Sequence, residues 1–162
     1  QSYNNISIYT TFRCYNVLVD LPGIAESMAA NAVYQKFYRK FIAKASVLVC
    51  LSQADRRAYK QDQLFYSSLI KSGILQPSQN IILGINQADL LFKSAEHLNG
   101  VDLNTISEDD HILTEKTMDY YDCVFREAFA DFPKVTQDSV VIYSVLQNWH
   151  MNILKDRIYK LL

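Results

Sequence analysis

The sequence has few of the residues from which phosphate-binding loops and metal clusters are built. Glycine occurs only four times among 162 residues, and the segment before Asp20 contains neither glycine nor lysine. A Gly-x-x-x-x-Gly-Lys-Ser/Thr loop, whose backbone N–H groups and lysine bind phosphate, is therefore absent from this sequence. The cysteines, Cys14, Cys50 and Cys123, lack the Cys-x-x-Cys spacing of a zinc site. We expect them to be reduced, buried thiols.

The chain has neither a large excess of charge of one sign nor a long apolar run. The 16 Lys and Arg residues nearly balance the 17 Asp and Glu residues, for a net charge of -1, so DNA or RNA binding is not indicated. No apolar run approaches the roughly 18 residues that a membrane span needs, and no signal-like segment is present. A chain of 162 residues that is 49% hydrophobic is the size of one domain with a substantial core. We expect a single domain over residues 1–162, located in the cytoplasm.

Strand-like and helix-like patterns alternate along the chain. The predicted strands cover residues 5–12, 15–20, 46–52, 80–86 and 139–143, and the predicted helices cover 33–45, 59–72, 107–131 and 148–162. Ser107 to Asp110 supplies an expected cap with acidic first-turn residues for the third helix, and Gly73 ends the second. Strands separated by helices of this length predict an α/β fold, with a mostly parallel sheet covered by helices on both faces. The first two strands are expected to pair antiparallel at one edge of that sheet.

Polar residues stand where three of the predicted strands end. Because ligands of such sheets bind at the carboxyl ends of the strands, Asp20, Asn86 and Ser144 are expected to share one crevice. Near Asn86, the carboxylate of Asp89 is suited to accept two hydrogen bonds from guanine, one from the ring N–H and one from the exocyclic amine. Adenine offers neither donor in that arrangement. A site built in this way rejects an analogue by about ten thousandfold, so Asp89 is the predicted specificity residue.

Each of these segments also has a simpler interpretation. Asn86 to Asp89 fits a polar turn followed by a helix cap, and Asp20-Leu21-Pro22-Gly23 fits a common turn with proline second and glycine third. Ser144-Val145 fits an ordinary exit from a strand. The position of all three segments at strand ends, in this order along the chain, favours the ligand-binding interpretation.

Taken together, Asp20-Leu21-Pro22-Gly23, Asn86-Gln87-Ala88-Asp89 and Tyr143-Ser144 resemble the motifs of Era/TrmE-type bacterial GTPases, in particular the YeeP/YfjP-like subgroup. The resemblance runs from about residue 5 to the end. It implies a Rossmann-like P-loop NTPase (small G-protein) fold that binds GTP or GDP with Mg²⁺. By this resemblance, Asp20 holds Mg²⁺ through a water and the Gly23 N–H contacts the terminal phosphate. The base-binding residues that it implies are Asn86, Gln87, Asp89, Ser144 and Val145.

The sequence departs from this family in three places. Gln87 stands where lysine is usual and Val145 where alanine is usual, and the first strand, phosphate loop and helix of the family are not in this sequence. We therefore expect an N-terminally incomplete G domain with weak or no GTP hydrolysis, and no catalytic residue is assigned. Loss of a central strand is expected to expose apolar surface, so that the chain rearranges its strands or pairs with another molecule.

Two other classes of protein share some of these sequence features. A nucleotide-independent protein-interaction module, or a degenerate GTPase remnant, fits the absence of the phosphate loop. A phosphoacceptor receiver domain fits less well, because residues 5–14 hold no carboxylate and the late strand ends in Asn86-Gln87 instead of lysine.

Overall fold

Strands and helices alternate in the computed structural model, which describes residues 8–10, 17–21, 31–55, 60–94 and 102–162. The elements within these ranges are β1 (Ile8–Thr10), β2 (Val17–Val19), α1 (Asn31–Phe41), β3 (Val47–Gln53), α2 (Lys60–Lys71), β4 (Asn80–Asn86), α3 (Leu90–Ser94), α4 (His111–Tyr120), β5 (Val140–Ile142) and α5 (Met151–Leu161). Helix α4 continues through a π-helical turn, Tyr121–Phe125, into a last helical turn, Arg126–Ala128.

A parallel sheet of three strands, in the order β3-β4-β5, confirms the predicted α/β class. Its middle strand, β4, is the apolar run Ile81–Ile85 that the sequence marks as a buried strand, and every residue of that run is buried. Parallel strands are joined by helical crossovers, and here α2 connects β3 to β4 while α4 lies between β4 and β5 in the chain. The carboxyl ends of β4 and β5 therefore point to the same edge of the sheet.

The first two strands pair antiparallel, as predicted, with Ile8 opposite Val19 and Thr10 opposite Val17. The expectation that they form an edge of the parallel sheet is wrong, because β1 and β2 make a separate two-stranded sheet. Among the described strands, none pairs with both β2 and β3, so nothing joins the two sheets by backbone hydrogen bonds. Val17 and Leu18 of β2 stay exposed, whereas Leu21, just beyond it, packs against the main core.

Helices cover both faces of the parallel sheet, in agreement with the sequence. Residues of one face of β4, such as Leu83 and Ile85, belong to the larger core cluster with α1, α2 and α4. On the opposite face, Ile82 packs with Val141 and with Leu154 of α5. Because side chains alternate along a strand, the same apolar run fills both cores.

Two helix starts differ from the predicted ones. Asp110, not Ser107, is the N-cap of α4, and its carboxylate accepts a hydrogen bond from the Ile112 N–H at 2.9 Å. The acidic residues of this segment consequently precede the helix, and its first turn holds none. Helix α5 begins at Met151 and not at residue 148, because the backbone is left-handed at Asn148 (φ 59°) and at the N-cap, His150 (φ 53°).

Glycine ends α2 as the sequence predicts. Gly73 has a φ of 67°, a left-handed conformation that glycine adopts without steric cost, and the N–H of Ile74 then bonds back to the Leu69 carbonyl at 2.9 Å. The short helix α3 and a 3₁₀ turn at Leu103–Thr105 lie between the predicted strand 80–86 and the predicted helix 107–131, where the sequence predicts no regular element.

The cysteines differ in environment. Cys50 on β3 is a buried free thiol, as expected, but Cys123 is exposed on the π-helical turn, so the expectation of burial is wrong for it. Cys14 lies outside the described residues. Among the helices that the structure describes, none has the length and apolar character to cross a membrane.

Candidate functional site

Hydrogen bonds within the loop after β4, and between this loop and the ends of the neighbouring strands, hold it in place. Gln87 has a left-handed φ of 61°, and its N–H donates to the side-chain oxygen of Asn86 at 2.7 Å. The N–H of Ala54, in the turn after β3, donates to the Asn86 carbonyl at 2.8 Å, while the Ala88 N–H donates to the Tyr143 carbonyl at 3.1 Å. The loop is thus attached to both neighbouring strand ends.

These attachments place Asp89 inside the protein. Asp89 directly follows the fully buried Ala88 and precedes the first residue of α3. The residue is only 4% exposed. A buried carboxylate is costly unless it is hydrogen-bonded, and the hydroxyl of Ser144 donates to Asp89 Oδ1 at 2.7 Å. Ser144 itself is fully buried, and its Oγ also accepts a hydrogen bond from the Gln147 N–H at 3.2 Å. The ends of β4 and β5 are therefore joined through one side-chain hydrogen bond.

The segment after β5 folds back on itself. Ser144 and Trp149 exchange two backbone hydrogen bonds of 3.2 and 3.0 Å, which close a short loop between them. The buried Trp149 ring packs edge-on against Phe92 of α3, with ring centroids 5.7 Å apart. Val145 and Leu146, at the outer end of this loop, are 62% and 73% exposed. The inner part of this loop is thus fixed to α3, while its outer end presents apolar side chains to solvent.

An open cleft of about 400 Å³ lies between these two loops, at the carboxyl ends of β4 and β5. Its lining residues are Asn86, Gln87, Asp89, Leu90, Ser144, Val145 and Leu146. All the residues predicted to contact a base are among them. Leu90 and Leu146 were not identified from the sequence, although the position of Leu146 beside Val145, just past a strand end, is a signal that points to it.

The predicted magnesium and phosphate residues are not brought to this cleft by the described structure. Asp20 directly follows β2 and is exposed, and it is not among the residues that line the cleft. Gly23 lies outside the described residues. Within the described ranges, no three His, Cys, Asp or Glu side chains are grouped to hold a metal ion. Binding of Mg²⁺ through Asp20 stays a prediction.

A second group of buried polar side chains lies between β3 and the helices that cover it. Asp62 is 1% exposed, and its Oδ2 accepts hydrogen bonds from the Ser52 hydroxyl at 3.3 Å and the Tyr120 hydroxyl at 3.4 Å. Burial raises the pKa of the Cys50 thiol to about 12 and raises the pKa of Tyr66 well above its ordinary value. The Cys50 thiol therefore stays protonated at neutral pH and is not present as the nucleophilic thiolate.

The histidines do not form a site within the described residues. His111 is exposed at the start of α4, where its Nδ1 lies 3.4 Å from the Asp110 carboxylate. His150 is mostly buried, with its Nδ1 2.9 Å from the Ile142 carbonyl and its backbone N–H donating to the Glu108 carboxylate at 3.1 Å. His111 thus lies at the surface, whereas His150 links the end of β5 to the segment before α4.

Comparison with known proteins finds relatives without an assigned activity. No family model matches the chain, and no solved structure matches it significantly. Two proteins of Escherichia coli (strain K12) are similar to it: the uncharacterized protein YkfA, 26% identical over 148 residues, and the uncharacterized protein YfjP, 24% identical over 148 residues. Each match covers 91% of this chain but 45% of the relative. The chain therefore spans less than half the length of the curated relatives that it matches.

Proposed function

We propose that the chain binds guanine nucleotides through the cleft between the loops that follow β4 and β5, as part of an Era/TrmE-type GTPase domain with the P-loop NTPase fold. The observation that carries this proposal is the hydrogen bond between Ser144 and Asp89 at the base of the cleft. Two segments that are 55 residues apart in the chain, each of which the motifs assign to base recognition, meet there. The similarity to YfjP along most of the chain is consistent with the subgroup that these motifs resemble.

The chemistry of the cleft suits guanine better than adenine. A carboxylate is able to accept several hydrogen bonds, so the bond from Ser144 is compatible with further bonds from the N–H and amine of guanine to Asp89. The Ser144 hydroxyl orients that carboxylate, and Leu90, Val145 and Leu146 offer apolar surface for a planar ring. Adenine presents no pair of donors to such a carboxylate, and a buried acceptor left without its donors is unfavourable.

Binding is expected to be weak. Two charge-assisted hydrogen bonds contribute about 1.5–3 kcal/mol each, and a total near 4 kcal/mol corresponds to a dissociation constant of about 1 mM. The phosphate loop that adds most of the affinity in this family is not in the sequence. For the same reason we propose little or no hydrolysis and assign no catalytic residue. When Mg²⁺ is bound, it would neutralise phosphate charge, and Asp20 is the residue proposed to hold it through a water.

The proposal is tested by NMR titration of the chain with GDP, ADP and xanthosine diphosphate in the presence of Mg²⁺. We expect GDP, and not ADP, to shift the amide signals of the two loops that border the cleft. Exchange of Asp89 for asparagine should reverse the preference from GDP to xanthosine diphosphate, because xanthine carries a carbonyl where guanine carries its amine. The asparagine amide is then able to donate to that carbonyl while its oxygen still accepts from Ser144.

A matched control is Asp156→Asn, which makes the same chemical change at an exposed position on α5, away from the cleft. This variant should keep the preference for GDP. Equal shifts with GDP and ADP, or a base preference that Asp89→Asn leaves unchanged, would contradict the proposal. Shifts confined to residues outside the two loops would do the same. If none of the three nucleotides shifts any signal, the alternative class, a nucleotide-independent interaction module, becomes the better description.

A further inference from the structure

The outer side of α1 carries a local concentration of positive charge. Lys36, Arg39 and Lys40 of this helix are exposed, and so is Lys44 on the 3₁₀ turn that directly follows it. Residues 27–54 contain these four basic side chains and no aspartate or glutamate, although the whole chain has a net charge of -1. The four side chains, here called the basic face of α1, therefore stand on an otherwise acidic chain.

The packing of α1 turns this face toward solvent. Tyr38 and Ile42, on the opposite side of the helix, are buried, and the Tyr38 ring packs edge-on against Phe65 of α2 with ring centroids 5.7 Å apart. Residues four apart lie above one another on a helix, so Lys36 and Lys40 form a row with a rise of about 6 Å between them. Because α1 is attached to the core by its apolar side, the basic face is able to contact another surface without any change of fold.

The positive charge of this face is not neutralised by the carboxylates that the structure describes. None of the ion pairs formed among the described residues includes a member of the basic face. Lys40 Nζ lies instead 5.3 Å from the centre of the Phe41 ring. That ring stacks with Phe37, at a centroid distance of 6.3 Å and an angle of 8°, and both rings are half-buried. Uncompensated charge thus lies beside a partly exposed aromatic pair.

We propose that the basic face of α1 binds the surface of membranes that contain anionic phospholipids. A cluster of four or more Lys and Arg residues on an amphipathic helix is the pattern that binds negatively charged headgroups. A plane of headgroups is able to contact all four cations at once, since they lie on one side of a fixed helix. Phe37 and Phe41, at the border of that side, then reach the boundary between headgroups and acyl chains, where aromatic side chains are favoured.

A nucleic acid, the other common polyanion, fits this face less well. Proteins that hold single strands stack bases on open aromatic faces. Here the face of the Phe41 ring is covered by Lys40, and the ring is stacked with Phe37. Membrane binding is independent of the proposed nucleotide site, because no residue of the basic face lines the cleft.

Co-sedimentation of the chain with lipid vesicles, without nucleotide, tests this proposal. We expect binding to vesicles of equal parts phosphatidylcholine and phosphatidylserine, and none to vesicles of phosphatidylcholine alone. Raising the ionic strength from about 0.1 M to about 1 M shortens the Debye length from about 10 Å to about 3 Å and should release the chain. Both comparisons use the unmodified protein, so they need no substitution.

A double variant assigns the binding to α1. Lys36→Gln with Lys40→Gln should weaken it about thirtyfold, since each basic residue near an anionic surface contributes about a factor of five. The matched control is Lys155→Gln with Lys160→Gln, which removes the same charge from exposed positions on α5, the helix that covers the opposite face of the sheet. The control should bind vesicles as the unmodified chain does.

Three results would overturn the proposal. The first is a chain that leaves the anionic vesicles unbound at low salt, and the second is an equal loss of affinity in the two double variants. The third is tighter binding to a single-stranded oligonucleotide or to polyglutamate than to the vesicles, which would make a nucleic acid or an acidic protein the partner of this face. Circular dichroism of each variant confirms that the comparison is made between folded chains.

Discussion

Replacing Ser144 with alanine is expected to lower the free energy of unfolding by about 3 kcal/mol. The change removes the 2.7 Å hydrogen bond to Asp89, in which both partners are buried, and a hydrogen bond to a charged group contributes about 1.5–3 kcal/mol. It also removes the acceptor of the Gln147 N–H, a half-buried and neutral contact that adds about 0.5–1 kcal/mol. For a domain of this size, the melting temperature should fall by about 6–12 °C.

Urea denaturation followed by circular dichroism measures this loss, with Ser68→Ala as the control. The Ser68 hydroxyl donates to the Phe65 carbonyl at 2.7 Å, but on the exposed side of α2, so its loss should cost less than about 0.5 kcal/mol. A double-mutant cycle of Ser144→Ala with Asp89→Asn isolates the pair, and we expect a coupling energy above about 1 kcal/mol.

Either of two results would refute this reasoning. One is a loss for Ser144→Ala that matches the loss for Ser68→Ala within about 0.5 kcal/mol, since burial would then add nothing to the bond. The other is an additive cycle, which would mean that Ser144 and Asp89 do not interact in solution.

Two further predictions concern the rest of the fold. Because the folded-state pKa of Cys50 is about 12, against an ordinary value of 9.0, its contribution to stability is complete below about pH 9 and is lost as the pH rises toward 12. Cys50→Ala should therefore lose less stability between pH 9 and pH 11 than the unmodified chain in urea titrations, and an equal loss contradicts this. Asp110→Ala should cost about 1 kcal/mol by removing the bond to the Ile112 N–H, whereas Asp109→Ala, just outside the cap, should be nearly neutral in thermal unfolding.

The strand that carries the candidate site was the most predictable part of the chain. The predicted range of β4, residues 80–86, agrees with the structure at both ends, because an uninterrupted apolar run bounded by two asparagines fits only a buried strand at this length. The meeting of Asn86 with Ser144 also follows from the sequence, since parallel strands deliver their carboxyl ends to one edge of a sheet.

The burial of the Asp89 side chain, in contrast to the range of β4, was not predictable from the sequence. It depends on the bond from the Ala88 N–H to the Tyr143 carbonyl and on the left-handed conformation of Gln87, and neither leaves a periodic pattern in the sequence. The separation of β2 from β3 was missed for a related reason. Pairing between strands that are distant in the chain depends on what lies between them in space, which hydrophobic alternation does not encode.

Trp149 gives the chain a built-in fluorescent probe beside the cleft. It is the single tryptophan among 162 residues, it is buried, and its backbone closes the loop that borders the cleft by pairing with Ser144. Fluorescence excited at wavelengths that the 11 tyrosines do not absorb therefore comes from this one indole, which packs against Phe92. Tryptophan emission from the unlabelled chain thus reports the state of the loop that borders the cleft.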